Sequence, residues 1–160
     1  MRLRNLLFAA CIFAASGCAR HFDVLAANVG DRLVFAPRAG PIHLPYCIHS
    51  IGIAAETPPS LARAAANDDR ALIGEGVFWA NTVELADCPK NRFPINYGAA
   101  LKGTPFKATN GAGVEAKGLL PGVIYEIDTA GNGKVGEGRF RITAGGTVEN
   151  LPLDDSVPAP

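Results

Sequence analysis

The chain of 160 residues has no surplus of either charge, since 15 lysines and arginines balance 15 aspartates and glutamates. Neutrality removes the electrostatic footprint of a nucleic-acid binder, and no basic run restores it locally. Charged residues are only 19% of the chain against 48% hydrophobic ones, a balance that argues against wholesale disorder. Long apolar runs are missing as well. The uncharged stretch Leu6 to Ala15 has ten residues, about half of the ~20 that a membrane-spanning helix needs. Histidine is scarce, and no second Cys/His cluster accompanies the one at residues 43–49. Glu56, Glu75, Glu84, Asp87 and Asp128 form no obvious acid–base pair, and no nucleophile–base arrangement stands out. The expected class is therefore a non-enzymatic, single-domain protein.

The positive features begin at the N-terminus. "MRLRNLLFAACIFAASGC" has a positive start, Arg2 and Arg4, then an apolar core, then small residues. This is the layout of a secretory signal peptide. Its ending, "AASGC", resembles the lipobox of bacterial lipoproteins, with Ala15 where leucine is commonest in that family. The resemblance implies cleavage after residues 1–17 and acylation of Cys18 by diacylglycerol and an N-linked fatty chain such as palmitate. Several acyl chains hold a protein stably in a membrane. Ala19, in place of aspartate, follows the cysteine, which in that family implies the outer membrane. Loss of residues 1–17 leaves 13 basic and 15 acidic residues, a net charge of −2.

The four cysteines then sort by position. Cys11 lies in the apolar core of the signal and Cys18 at the lipid site. Cys47 and Cys88 remain, in an oxidising compartment where two thiols most often pair. Closing a loop of about 40 residues stabilises a chain by roughly 4 kcal/mol in the chain-entropy account. The alternative for "HLPYCIHSIG" takes His43, Cys47 and His49 as ligands for periplasmic copper or zinc. Pro45 and the β-branched Ile48, Ile51 and Ile53 argue for an extended segment, in which Cys47 and His49 share one face. That is a partial site, so the disulfide is the expected state and no metal or other cofactor is expected. "HSIG" lacks the first glycine of a nucleophile elbow, because Ile48 stands there, and the chain is too short for the hydrolase sheet that would carry one.

Along the rest of the chain the pattern is β. "DRLVFAP" (31–37), the extended stretch 42–55, "GVFWANTVEL" (76–85) and "RFPINYG" (92–98) read as strands bounded by glycine and proline, with a brief strand near 113–117. Val77 and Trp79 are expected on one face and Phe78 and Ala80 on the other, with Trp79 in the core. "TPPSLARAAANDDRALIGEG" reads as a short helical insertion. The clearest hairpin is last: Val123, Tyr125 and Ile127 alternate with Ile124, Glu126 and Asp128, and Phe140 and Ile142 with Arg139 and Arg141. The intervening "GNGKVG" matches G-x-G-x-x-G, but a strand follows it where a phosphate loop needs a helix. Ala130 and Arg139 likewise spoil a calcium loop. Arg139 and Arg141 share a face that reads as a solvated strand surface.

"GLLPGVIYEIDTAGNGKVGEGRFRIT" resembles the final hairpin of immunoglobulin- or fibronectin-like domains, in which an L-x-P-G-x-x-Y turn feeds a strand. Residues 78–142 also resemble bacterial envelope proteins with a tryptophan strand, a "YG" turn and a "PG-x-x-Y" strand in this order. That family implies a fold and carries no activity to transfer. The expected architecture is an all-β, Ig-like sandwich of about seven strands over 30–150. A lipidated tether over 18–29 precedes it, and a mobile acidic, proline-rich tail over 151–160 follows. The expected role is a structural or binding module in the cell envelope, anchored in the membrane, with an envelope protein or glycan as partner and no nucleic acid. Two alternatives are metal handling through His43, Cys47 and His49, and inhibition of an envelope hydrolase through the loop 102–113.

Overall fold

The computed structural model describes residues 20–38, 47–56, 76–106 and 113–153. Among them run nine strands: β1 (Arg20–Val29), β2 (Arg32–Pro37), β3 (Ser50–Ala55), β4 (Val77–Thr82), β5 (Ile95–Asn96), β6 (Gly113–Val114), β7 (Ile124–Gly131), β8 (Lys134–Ile142) and β9 (Val148–Leu151). The all-β expectation holds. The strands number nine where about seven were expected, and they hydrogen-bond into one sheet in the order β5-β2-β1-β8-β7-β3-β4-β6, with β9 on β8. Three of them, β5, β6 and β9, have only two to four residues, too short to leave an alternating pattern.

The sheet curls until its ends face each other. Phe35 of β2 stacks on Trp79 of β4 with ring centroids 6.3 Å apart, although β1, β8, β7 and β3 lie between those two strands in the hydrogen-bonded order. Phe35, Trp79, Tyr125 and Phe140 are 0–2% exposed and form the centre of one core with Val24, Ile51, Ile53, Phe78 and Ile127. At ~25 cal/mol per Å² of apolar surface buried, each such aromatic contributes several kcal/mol. Trp79 is thus a core residue, as expected. Phe78 is not on the opposite face from it. Ile53 pairs with Trp79 and Ala54 with Val77, so Phe78 is the extra residue of a β-bulge, and both rings turn inward.

The residues read as a tether are, from Arg20 onward, a strand inside the sheet. β1 pairs antiparallel with β2 on one edge and parallel with Lys134–Glu137 of β8 on the other. Val24 and Ala26 are buried by it. The stretch escaped notice because "LAAN" dilutes the alternation with small residues. Likewise Leu151, assigned to the tail, closes β9, and the Pro152 carbonyl after it accepts a hydrogen bond from Arg139. The proposed helical insertion, most of the extended stretch before Cys47, and residues 154–160 lie outside the described residues.

The last hairpin follows its sequence closely. Tyr125, Ile127 and Phe140 point inward while Glu126, Asp128 and Arg141 point out. Asn132 and Gly133 both take positive φ, 45° and 71°, as a two-residue turn between twisted strands requires. At the other end of β7, the Tyr125 hydroxyl accepts a 2.7 Å hydrogen bond from the Leu120 amide. This tie from a strand tyrosine to backbone a few residues upstream is the kind that a tyrosine corner makes in β-sandwich domains.

Candidate functional site

The state of the cysteines is decided at the basal end of the sheet, where β1 and β8 begin and β7 ends. Cys47 and Cys88 are joined in a disulfide across 41 residues. Gly131, the last residue of β7, presses against the Cys47 carbonyl and the Cys88 sulfur, a space that a Cβ would fill. Both sulfurs are committed, so Cys47 offers no thiolate to a metal. The set His43, Cys47, His49 is thereby broken, and no group of three or more potential ligands occurs among the described residues. His43 lies outside those residues. His49 is partly buried, and its Nδ1 has no hydrogen-bond partner among them.

Cys88 does not end a strand but sits in a short 3₁₀ turn, Leu85–Lys90, that sequence reasoning missed. This turn and the crossover after it close the base of the core. Asn91 donates to the Lys102 carbonyl at 3.0 Å and accepts the Lys102 amide at 2.7 Å. Asp87 accepts the Thr104 amide at 2.7 Å and pairs with Lys90. The Lys90 hydrogen bond, then the Thr104 amide, hold the Asp87 carboxyl below the usual aspartate range. Arg92 forms a bridge with Cys47, and Phe93 meets Phe22 of β1 edge to face at 6.0 Å. This crossover leaves a groove of about 390 Å³ lined by Pro89, Lys90, Arg92, Pro94, Leu101 and Lys102.

A second concavity lies at the seam where the two ends of the curled sheet meet. It encloses about 600 Å³ beside Trp79, Asn81, Gly98, Gly113, Val114 and Glu115. The seam is stitched by Tyr97, whose hydroxyl donates to the Lys117 carbonyl at 2.7 Å, and by Asn81, which accepts the Leu101 amide at 3.1 Å. Burial pushes the Tyr97 hydroxyl far above its ordinary pKa, so this bond is made by a neutral phenol.

On the outward face of β8, Arg141 is exposed, as expected of a solvated strand surface, whereas Arg139 is not. Arg139 is 7% exposed, holds both Glu56 oxygens at 2.8 Å and donates to the Pro152 carbonyl at 2.7 Å. Arg141 pairs with Glu149 at 2.7 Å. Beside them, Asp23, Glu137 and Asp128 stand opposite one another on three neighbouring strands. Burial, then the Glu137 charge, raises the Asp128 carboxyl above its ordinary pKa.

No protein-family model, curated protein or solved structure matches the chain. Among the described residues no helix is long and apolar enough to cross a membrane. Cys18 lies outside the described residues, as do residues 107–112 of the loop considered for hydrolase inhibition.

Proposed function

We propose that the chain is a lipid-anchored protein of the bacterial cell envelope, acylated at Cys18, whose domain is a non-catalytic structural or binding module. The observation that carries this reading is the conjunction of two features: a lipobox-like "AASGC" and, downstream of it, a β-domain closed by the Cys47–Cys88 disulfide. Export explains the oxidised pair, since disulfides persist in oxidising compartments and are rare in the cytosol. A protein or glycan partner fits the seam concavity, which offers the backbone of the short edge strand β6 and the polar Asn81 and Glu115. Strand-edge backbone and a few polar groups suit an extended peptide or a sugar. The outer membrane is the proposed location, on the strength of Ala19 after the cysteine.

The test is a mass spectrum of the protein extracted from membranes in mild detergent without reductant, together with cross-linking in intact cells. The expected chain starts at Cys18, carries added acyl mass, and lacks the pair of hydrogens that the disulfide removes. Cross-links from Glu115 or a neighbouring side chain at the seam to an envelope component are expected. A chain with an unmodified N-terminus and free thiols overturns the reading.

A further inference from the structure

Only Ala19 separates Cys18 from Arg20, where β1 begins, and two steps along the chain reach at most ~7 Å. An anchor at Cys18 is therefore fixed to the base of the sheet. The base carries charges of both signs, and its cations gather at one groove. Lys134 opens β8 in register with Arg20. Arg38 follows β2 and pairs with Asp23 at 3.2 Å. Lys90, Arg92 and Lys102 line the groove made by the basal crossover. Of these three, Lys90 shares the Asp87 carboxylate, while Arg92 and Lys102 are exposed and reach no carboxylate among the described residues. The acidic groups of the same end are Asp23 and Asp87, both engaged by these cations, the exposed Glu84, and Glu137 and Asp128 beside Asp23, of which Glu137 pairs with His21 at 3.3 Å. Phe93 ties this groove to the anchored strand through its contact with Phe22.

We infer that the basal end is a membrane-docking surface, and that the groove between Lys90, Arg92 and Lys102 receives the phosphate of an anionic phospholipid. The inference rests on the lipid-anchor reading above for the orientation of the domain. The fit is one of charge and position. A chain with a mature charge of −2 places two exposed cations that reach no carboxylate among the described residues, Arg92 and Lys102, in a groove at the end that a short anchor holds against the headgroups. Cations within a Debye length of an anionic surface are attracted to it individually, and an arginine fork matches phosphate geometry.

The experiment places the purified full chain in nanodiscs of phosphatidylcholine alone or mixed with phosphatidylglycerol, and follows amide hydrogen exchange over residues 90–102. In phosphatidylglycerol discs, exchange there is expected to slow about fivefold, the factor that one surface cation's attraction to anionic lipid is worth. High salt is expected to abolish the difference. The pair Arg92→Gln/Lys102→Gln, both exposed and free of structural hydrogen bonds from their side chains, is expected to abolish it as well. Arg32→Gln at the far end of the sheet is expected to leave it intact. Equal exchange in the two lipids overturns the proposal, as does lipid-dependent protection that survives the Arg92/Lys102 pair. The mass of the same preparation reports acylation of Cys18 separately. An unacylated chain that still shows the protection on phosphatidylglycerol vesicles sinks the anchor and keeps the surface. An acylated chain without the protection does the reverse.

Discussion

Asn150 and Ala26, 124 residues apart, exchange two hydrogen bonds of 2.8 Å, the side-chain amide of one meeting both backbone groups of the other. β8 leaves β1 after Glu137 and takes β9 as its partner from Arg139. The Asn150 side chain supplies, at that branch, the ladder rung that β8 no longer gives. Ala26 is 2% exposed, so water offers it little in return. Asn150→Ala strands a buried donor and acceptor and is expected to cost about 2–4 kcal/mol. Urea denaturation checks this. Asn150→Asp keeps only the acceptor and is expected to lose more than half as much.

Arg139 joins Glu56, at the end of β3, to Pro152, beyond β9. Removing a buried partner of such a pair leaves the other charge without compensation. Arg139→Ala is expected to destabilise by about 3 kcal/mol, and Glu56→Gln by about 1–2 kcal/mol because Glu56 is the more exposed of the two. Calorimetric melting of each variant, and of the double variant, gives the coupling between them.

The Cys47–Cys88 bond closes a long loop and anchors the basal crossover. Its removal by a Cys47→Ala/Cys88→Ala pair is expected to cost about 2–5 kcal/mol. Reductant should lower the melting temperature of the parent and leave that of the pair unchanged. An equal drop in both would show that the bond contributes nothing.

Asp128 and Asp87 are expected to act on stability with opposite signs. Asp128 has a folded pKa above its unfolded one, so its ionised form disfavours the fold, and the penalty grows as pH rises through the folded pKa. Asp128→Asn is expected to stabilise at neutral pH by about 0.2–1 kcal/mol, the scale of a like-charge pair facing across strands, and to give nothing in acid below the ordinary aspartate range. Asp87 has a lowered folded pKa, so its contribution is present above the unfolded value and is lost as pH falls through the folded one. Asp87→Asn is expected to destabilise at neutral pH, with the deficit vanishing in acid. Melting curves across that range separate the two.

Much of this was legible from alternation and from cysteine logic. Tyr125, Ile127 and Phe140 announce their inward face because the hairpin is half-buried with period two, and a turn of Asn132 and Gly133 leaves one natural register. The disulfide followed from compartment and elimination. Four things were not legible, for three physical reasons. β1 hides because Ala26, Ala27 and Asn28 carry little hydrophobic contrast, and its first residues, Arg20–Asp23, pair with a strand more than 100 residues away in sequence. Phe78 turns inward through a bulge, which changes the pairing register without changing composition. Arg139 reads as a surface residue because its partners, Glu56 and Pro152, are brought to it only by the closed fold. The groove of Lys90, Arg92 and Lys102 is invisible for the same reason: Asn91 and Asp87 fold a distant loop onto a turn that the sequence did not flag.

The placement of β1 also has a mechanical consequence. Its start, Arg20–Asp23, runs parallel to the start of β8, and the rest of it, Val24–Val29, is paired to β2. A pull on the N-terminal end therefore acts along the strand axis, across rungs that must all give way together. Strands loaded in this shear arrangement resist extension far better than strands peeled one rung at a time. A domain drawn between its N-terminal attachment and a bound partner would be gripped at its strongest seam, and the force at which single molecules rupture would be the quantity that this topology sets.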